Sequence, residues 1–221
     1  MKKIQHIIIM LAVLTFAAAG NGAMAQTDDE NVCVAVSPVY MNILYCGLPN
    51  PLEIAVSGYK PDDIQVSISQ GTITNVQGQP GKYTAVVNNP GYTDIIISSN
   101  GKTLVTKRFR SKLIPTPTAL VGGKHTGAIF SKAELMAQVG IKAVAEDFEY
   151  DVKFQVVSFT LSATIEGETK SESSTSSALT AAQKKLINQA PSGSKIYIFD
   201  IKAQEPDGRV RDLQPINYEL K

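Results

Sequence analysis

Few residues in this chain have the chemistry for catalysis, and their spacing decides what they can do. His125 lies in the Gly-rich stretch Gly122–Gly127. A lone loop histidine is ordinarily solvated, and a serine hydrolase would need its nucleophile on a Gly-x-Ser-x-Gly turn, a string the sequence lacks. Cys33, Cys46 and His125 are too scattered for a four-ligand zinc set. Glu146, Asp147, Glu149 and Asp151 put four carboxylates within six residues, and carboxylate oxygens are what calcium takes. Against a calcium loop, Glu149 and Asp151 alternate with Tyr150 and Val152 as a solvated strand face does, and no Asp-x-Asp-x-Asp-Gly string is present. Gly122-Gly123-Lys124 lacks the Gly-x-x-x-x-Gly-Lys-Ser/Thr frame of a phosphate loop. The chain has no Trp for stacking sugars, and no carboxylate pair stands out for glycoside chemistry. Arg209 and Arg211 alternate, so on a strand they share one face: a candidate surface for a carboxylate-bearing partner, or else an ordinary charged face. The expectation is a protein that is not an enzyme, with no catalytic residue, cofactor or metal site.

Composition narrows the setting. The 221 residues carry 21 basic and 20 acidic side chains. Met1–Ala25 reads as a secretory signal, with Lys2 and Lys3, the apolar run Ile7–Ala19 and the small-residue site Ala23-Met24-Ala25. Without it 196 residues remain, with 19 basic and 20 acidic groups and a net charge of −1. A balanced chain lacks the electrostatic footprint for gripping phosphate backbones, which argues against nucleic acid as a partner. The apolar run is shorter than the roughly 18 residues of a stable membrane span, so no transmembrane span is expected in the mature chain. An exported protein is expected. Cys33 and Cys46 then lie where a disulfide persists. They either pair, closing a loop worth about 3 kcal/mol, or are two separate buried thiols.

The elements that carry these residues follow from periodicity. Val32–Val36, Met41–Cys46, Leu52–Val56, Ile64–Ile68, Thr72–Val76, Tyr83–Val87, Thr93–Ser98 and Thr103–Phe109 read as short strands separated by Gly, Pro and Asn, with Asn100-Gly101 a strong hairpin signal. Residues 32–112 are therefore expected to form an Ig-like antiparallel β-sandwich. Pro115 and Pro117 make residues 113–119 a Pro-rich linker. Residues 120–221 read as an α+β domain with a sheet and two short helices. Ser131-x-x-Glu134 and Thr180-x-x-Gln183 have capping-box spacing, with Gly140 closing the first helix and Ala190-Pro191 the second. Tyr150–Thr164, Lys195–Ala203 and Arg209–Leu220 read as strands, and the Ser/Thr/Glu-rich 168–177 stretch as an exposed loop.

Several irregular strings go beyond what strand periodicity requires. They are Ser37-Pro38-x-x-Met41-Asn42-x-x-Tyr45-x-Gly47-x-x-Asn50-Pro51, Ile114-Pro115-x-Pro117, Val121-Gly122-Gly123-Lys124, Ser131-Lys132-Ala133-Glu134-Leu135, Lys153-Phe154-x-Val156-x-Ser158-Phe159 and Pro206-Asp207-Gly208-Arg209-Val210-Arg211. In this order they resemble the C-terminal half of GldM, called PorM in some species, the periplasm-spanning component of Bacteroidetes gliding and type IX secretion machinery. In that family the last two periplasmic domains are β-rich, form dimers and contact an outer-membrane-associated ring. The family's anchored protein begins with a transmembrane helix and helical periplasmic domains, and here a cleavable signal stands in their place. The resemblance implies a non-enzymatic periplasmic protein–protein interaction module associated with gliding and type IX secretion. Its partners would be envelope proteins such as secretion-ring components, and it would form a homodimer. The alternative is a secreted or cell-surface adhesion or ligand-binding protein on the same scaffold.

Overall fold

Alternation of side chains sets the first half of the structure. A computed structural model describes residues 41–221; the expected signal 1–25, the strand Val32–Val36 and Cys33 lie outside the described residues. Seven strands follow in order: β1 (Ile43–Tyr45), β2 (Asn50–Glu53), β3 (Gln65–Ile68), β4 (Thr72–Asn75), β5 (Lys82–Val86), β6 (Gly91–Ser99) and β7 (Lys102–Lys112). They form an Ig-like sandwich of a four-stranded sheet, β1-β7-β6-β3, and a three-stranded sheet, β2-β5-β4. On β6, Thr93, Ile95, Ile97 and Ser99 are buried while Asp94, Ile96 and Ser98 face outward, as a two-residue period requires. Ile95 and Ile97 meet Leu44, Cys46, Ile64 and Val87 in one apolar cluster. Asn100 and Gly101 join β6 to β7 with φ of 49° and 76°, the left-handed pair that a two-residue type I′ hairpin demands. One pairing departs from the antiparallel rule: β1 runs parallel to β7. Parallel neighbours need a long crossover, and here the rest of the sandwich supplies it.

The second half is built on a larger sheet. Its elements are β8 (Thr118–Val121), β9 (Ile129–Phe130), α1 (Lys132–Met136), β10 (Ile141–Val144), β11 (Gln155–Ile165), β12 (Glu168–Ser174), α2 (Ala181–Gln189), β13 (Lys195–Gln204), β14 (Val210–Asp212) and β15 (Ile216–Leu220). The sheet order is β12-β11-β13-β15-β9 with β14 beside β13, and β8 and β10 pair separately. Leu186 and Ile187 of α2 pack with Phe159, Leu161, Ile196 and Ile198 in its core. Both capping boxes form: Ser131 and Glu134 exchange hydrogen bonds at the start of α1, as do Thr180 and Gln183 at α2.

Several local expectations change, and the strand expected from Tyr150 begins only at Gln155. The 168–177 stretch is not all loop, because Glu166-Gly167, with φ of 54° and 83°, turns the chain back and residues 168–174 pair with β11 as a polar edge strand. Gly140 does not close α1, which ends at Ala137. It lies against the 177–178 backbone, where a Cβ would run into the Ser177 carbonyl. Arg209–Leu220 divides into β14 and β15 around Pro215, which has no N–H to give a ladder.

Candidate interaction surfaces

The residues singled out in the sequence fall into separate places. His125 Nε2 faces Glu146 Oε1 at 3.2 Å. Lys124 is a clamp: its ammonium donates to Glu134 Oε1 (2.7 Å) and the Ile129 carbonyl (3.1 Å) and sits 4.2 Å from the Phe130 ring centre. The hydrogen bond from Lys124 holds the Glu134 carboxyl below the usual carboxylate range. Tyr218 completes this loop, donating to the Lys124 carbonyl (2.7 Å) and accepting from the Val121 N–H (3.1 Å), and burial pushes its hydroxyl upward. The four carboxylates from Glu146 to Asp151 do not converge. Among the described residues no group of three or more His, Cys, Asp or Glu is placed to hold a metal.

Arg209 and Arg211 meet the turn that precedes them. Glu205-Pro206-Asp207-Gly208 closes through a Gly208 N–H to Glu205 carbonyl bond of 2.9 Å, and Gly208 has φ of 89°, a conformation glycine adopts without steric cost. Asp207 accepts from the Arg209 backbone N–H (3.1 Å) and Nε (2.6 Å). Burial works against the Asp207 carboxylate, yet these bonds hold it below its ordinary range. The Glu205 side chain is 1 % exposed and lies between Arg211 Nη2 and Arg209 Nη2, the latter at 3.8 Å. Arg211 also donates to the Ile114 carbonyl (2.9 Å) and Thr116 Oγ1 (3.2 Å). The two arginines retain side-chain exposures of 40 % and 21 % while their guanidinium groups are engaged by Glu205 and Asp207.

That turn also reaches the sandwich. Gly47, with φ of 75°, lies under Asp207, and a Cβ there would meet the carboxyl group. The neighbouring Cys46 thiol is buried and makes no disulfide among the described residues; burial raises its pKa while Arg209 opposes the rise. A second contact is aromatic. Tyr45 packs edge-on against Phe148 and Tyr150, with ring centres 4.7 and 5.5 Å away, and Phe148 stacks on Tyr150 at 5.4 Å. The Tyr150 hydroxyl donates to Asn50 Oδ1 at 3.4 Å. Asn50 is itself fixed: its Oδ1 accepts from the Tyr45 N–H, and its Nδ2 donates to the Tyr45, Leu48 and Ala85 carbonyls. Sequence reasoning missed Glu205, Asp207, Gly47 and Asn50 as a group, although three of them stand in the strings quoted above.

Beside the aromatic cluster lies a groove of about 850 Å³, walled by β10 on one side and residues 148–156 on the other. Its lining mixes Val144, Val152 and Phe154 with Lys142, Glu149, Asp151 and Lys153.

Fold and surfaces together define a mainly-β protein whose polar clusters tie its own parts together. Two family models match in chain order, the GldM third domain over residues 33–112 and the GldM C-terminal domain over residues 115–221. The chain belongs to the GldM family. Domains of this family are non-enzymatic structural components, and the C-terminal ones are periplasmic. No helix of the described residues is long and apolar enough to cross a membrane. Among solved structures, the Yersinia pseudotuberculosis adhesin InvE matches at 13 % identity and a TM-score of 0.26, over 82 % of this chain and 57 % of its own. The Bacteroides ovatus mixed-linkage glucan protein SGBP-B matches at 12 % identity and 0.25, over 84 % and 44 %. Yersinia InvD matches at 14 % and 0.20, over 72 % and 58 %. The chain spans about half the length of these structures, and likeness at such scores carries no functional argument. A search of curated proteins finds no match.

Proposed function

We propose that this protein is a non-enzymatic docking module of the periplasm that binds other envelope proteins of the gliding and type IX secretion machinery. The observation that supports this reading is the consecutive match of its two halves to the third and C-terminal domains of GldM. The division into a sandwich at residues 32–112, a linker at 113–119 and a second domain at 120–221 belongs to the same reading, as does a homodimer. The arrangement of the polar groups agrees with it, since Arg209, Arg211, Glu205 and Asp207 are engaged with one another and with the chain around them. Open strand edges such as β12 are surfaces on which other chains dock. The test is cross-linking of the tagged full chain in native envelopes, together with type IX secretion measured after deletion. Recovery of a secretion-ring component and reduced secretion are expected. Recovery of the protein from the medium, with no ring component attached and secretion unchanged, would overturn the reading.

A further inference from the structure

The hairpin at Glu166-Gly167 leaves the larger sheet with an open side. β12 pairs with β11 along one edge, and among the described residues no strand lies along the other. It is seven residues long, where the other outer strands among the described residues run four or fewer. Proteins ordinarily blunt so long an edge with a proline, a bulge or a covering segment. β12 has no Pro, keeps one register with β11 from end to end, and has residues 168–173 all exposed.

The turn decides which groups this edge presents. In a two-residue hairpin the flanking residues, here Ile165 and Glu168, exchange hydrogen bonds. Ladder groups alternate along a strand, so Lys170 and Glu172 also turn their N–H and C=O toward β11, and those of Thr169, Ser171 and Ser173 point to the open side. Among the described residues no backbone group meets them there. The strand is also held in place: the buried Gln183 Nε2 of α2 donates to the Glu172 carbonyl (3.0 Å), and Ser174 Oγ donates to the Ala178 carbonyl (2.8 Å). An edge already ordered loses little freedom on pairing.

What fits this edge follows from its charges. Lys170 and Glu172 flank Ser171 and lie on one face of the strand. We infer that β12 pairs with β12 of a second copy of this chain, antiparallel about a two-fold axis at Ser171, so that two sheets become one. In that register Lys170 lies opposite Glu172 of the partner subunit, and Glu172 opposite the partner's Lys170. Ser171 exchanges backbone hydrogen bonds with the partner's Ser171, and Thr169 with the partner's Ser173, so the groups that face the open side are the ones that meet. Moving the axis to Lys170 would set Lys against Lys and Glu168 against the partner's Glu172; moving it to Glu172 would set Glu against Glu. Like charges directly opposite are destabilising, which leaves the Ser171 register favoured. A contact in which one patch meets itself closes at two chains. The inference rests on the homodimer of the proposed function and names the edge that forms it.

The test is sedimentation of the full chain at low salt, with the parent beside two charge reversals at exposed positions of β12. The parent should dimerise. Lys170→Glu sets acid against acid at both symmetric pairs and Glu172→Lys sets base against base, so each should weaken self-association about tenfold. An equal mixture of the two variants should form a heterodimer at about the parent's affinity, because every charge then meets its opposite; this recovery also shows that both chains fold. Lys107→Glu, the same change of charge at an exposed position of β7, should leave the dimer unaltered. The edge pairing is overturned if either reversal dimerises as the parent does, if the mixture fails to associate, or if Lys107→Glu weakens the dimer equally. A parent dimer that ignores both reversals would remove this edge and leave the homodimer standing; a monomeric parent would remove both.

Discussion

Arg211→Ala tests whether the charged turn holds the two halves of the chain together. Removing Arg211 leaves the Glu205 carboxylate, 1 % exposed, with Arg209 Nη2 at 3.8 Å as its remaining cation. Breaking a buried ion pair from one side costs about 3–5 kcal/mol, mostly the stranding of the other charge. Arg211 itself is 21 % exposed and Arg209 stays near, so water and a second cation relieve part of this cost and the lower end, about 3 kcal/mol, applies. For a chain of this size that lowers Tm by about 6–12 °C. Glu205→Gln keeps an oxygen facing Arg211 and strands no buried charge, so it should cost about 1 kcal/mol. The double variant should be less damaged than the sum of the singles, with a coupling of at least about 1 kcal/mol. The assay is urea unfolding followed by tyrosine circular dichroism, since the chain has no Trp, with alkylation of the buried Cys46 thiol as a local readout. Arg211→Ala should speed alkylation of Cys46 under conditions where the chain remains folded. A loss below about 1 kcal/mol for Arg211→Ala, additive with Glu205→Gln and with Cys46 still protected, would refute the linkage.

The remaining predictions are separate. Gly140→Ala drives a methyl into the Ser177 carbonyl and should cost about 1–3 kcal/mol in the same urea assay; a neutral result would refute the close approach. Tyr218→Phe removes the acceptor of the Val121 N–H and the donor to the Lys124 carbonyl and should cost about 1–3 kcal/mol, with faster amide exchange at Val121 as the local sign. The depressed Asp207 carboxyl adds stability above its unfolded value of about 4, and that stability is lost as pH falls through the lower folded value. Asp207→Asn should therefore be less stable than the parent at neutral pH and lose less stability on acidification below about pH 4; parallel pH profiles would refute this. Sedimentation at micromolar concentration should give a dimer, and a monomeric mass would remove that part of the proposed function.

What the sequence disclosed was mostly local. The capping boxes at Ser131 and Thr180 and the Asn100-Gly101 hairpin need only residues within a turn of each other, and all three formed as spaced. β12 was misread because its Thr, Lys, Ser and Glu side chains carry no apolar face; its pairing comes from the Glu166-Gly167 turn and the waiting edge of β11. Gly140 resembled a helix terminator, and only the approach of Ser177, far along the chain, gives it another role. Glu205 resembled one more polar turn residue. Its burial depends on Arg211 and on the Ile114 backbone, whose position no nearby sequence announces. Residues 149–154 failed in the opposite sense, carrying the strand pattern without the partner that would complete a ladder.

The parallel pairing of β1 with β7 has a mechanical consequence. Ile43, Leu44 and Tyr45 lie beside Arg110, Ser111 and Lys112 in the same direction, and bonds from Arg110 N–H to the Asn42 carbonyl and from Cys46 N–H to the Lys112 carbonyl extend the ladder at both ends. Tension applied through the chain before β1 and the chain after β7 pulls these strands along their own axes in opposite senses. The cross-strand bonds are then loaded in shear and must fail together, whereas a hairpin pulled from its open end unzips one bond at a time. The first and last strands of the sandwich among the described residues thus make it a clamp against stretching along the chain.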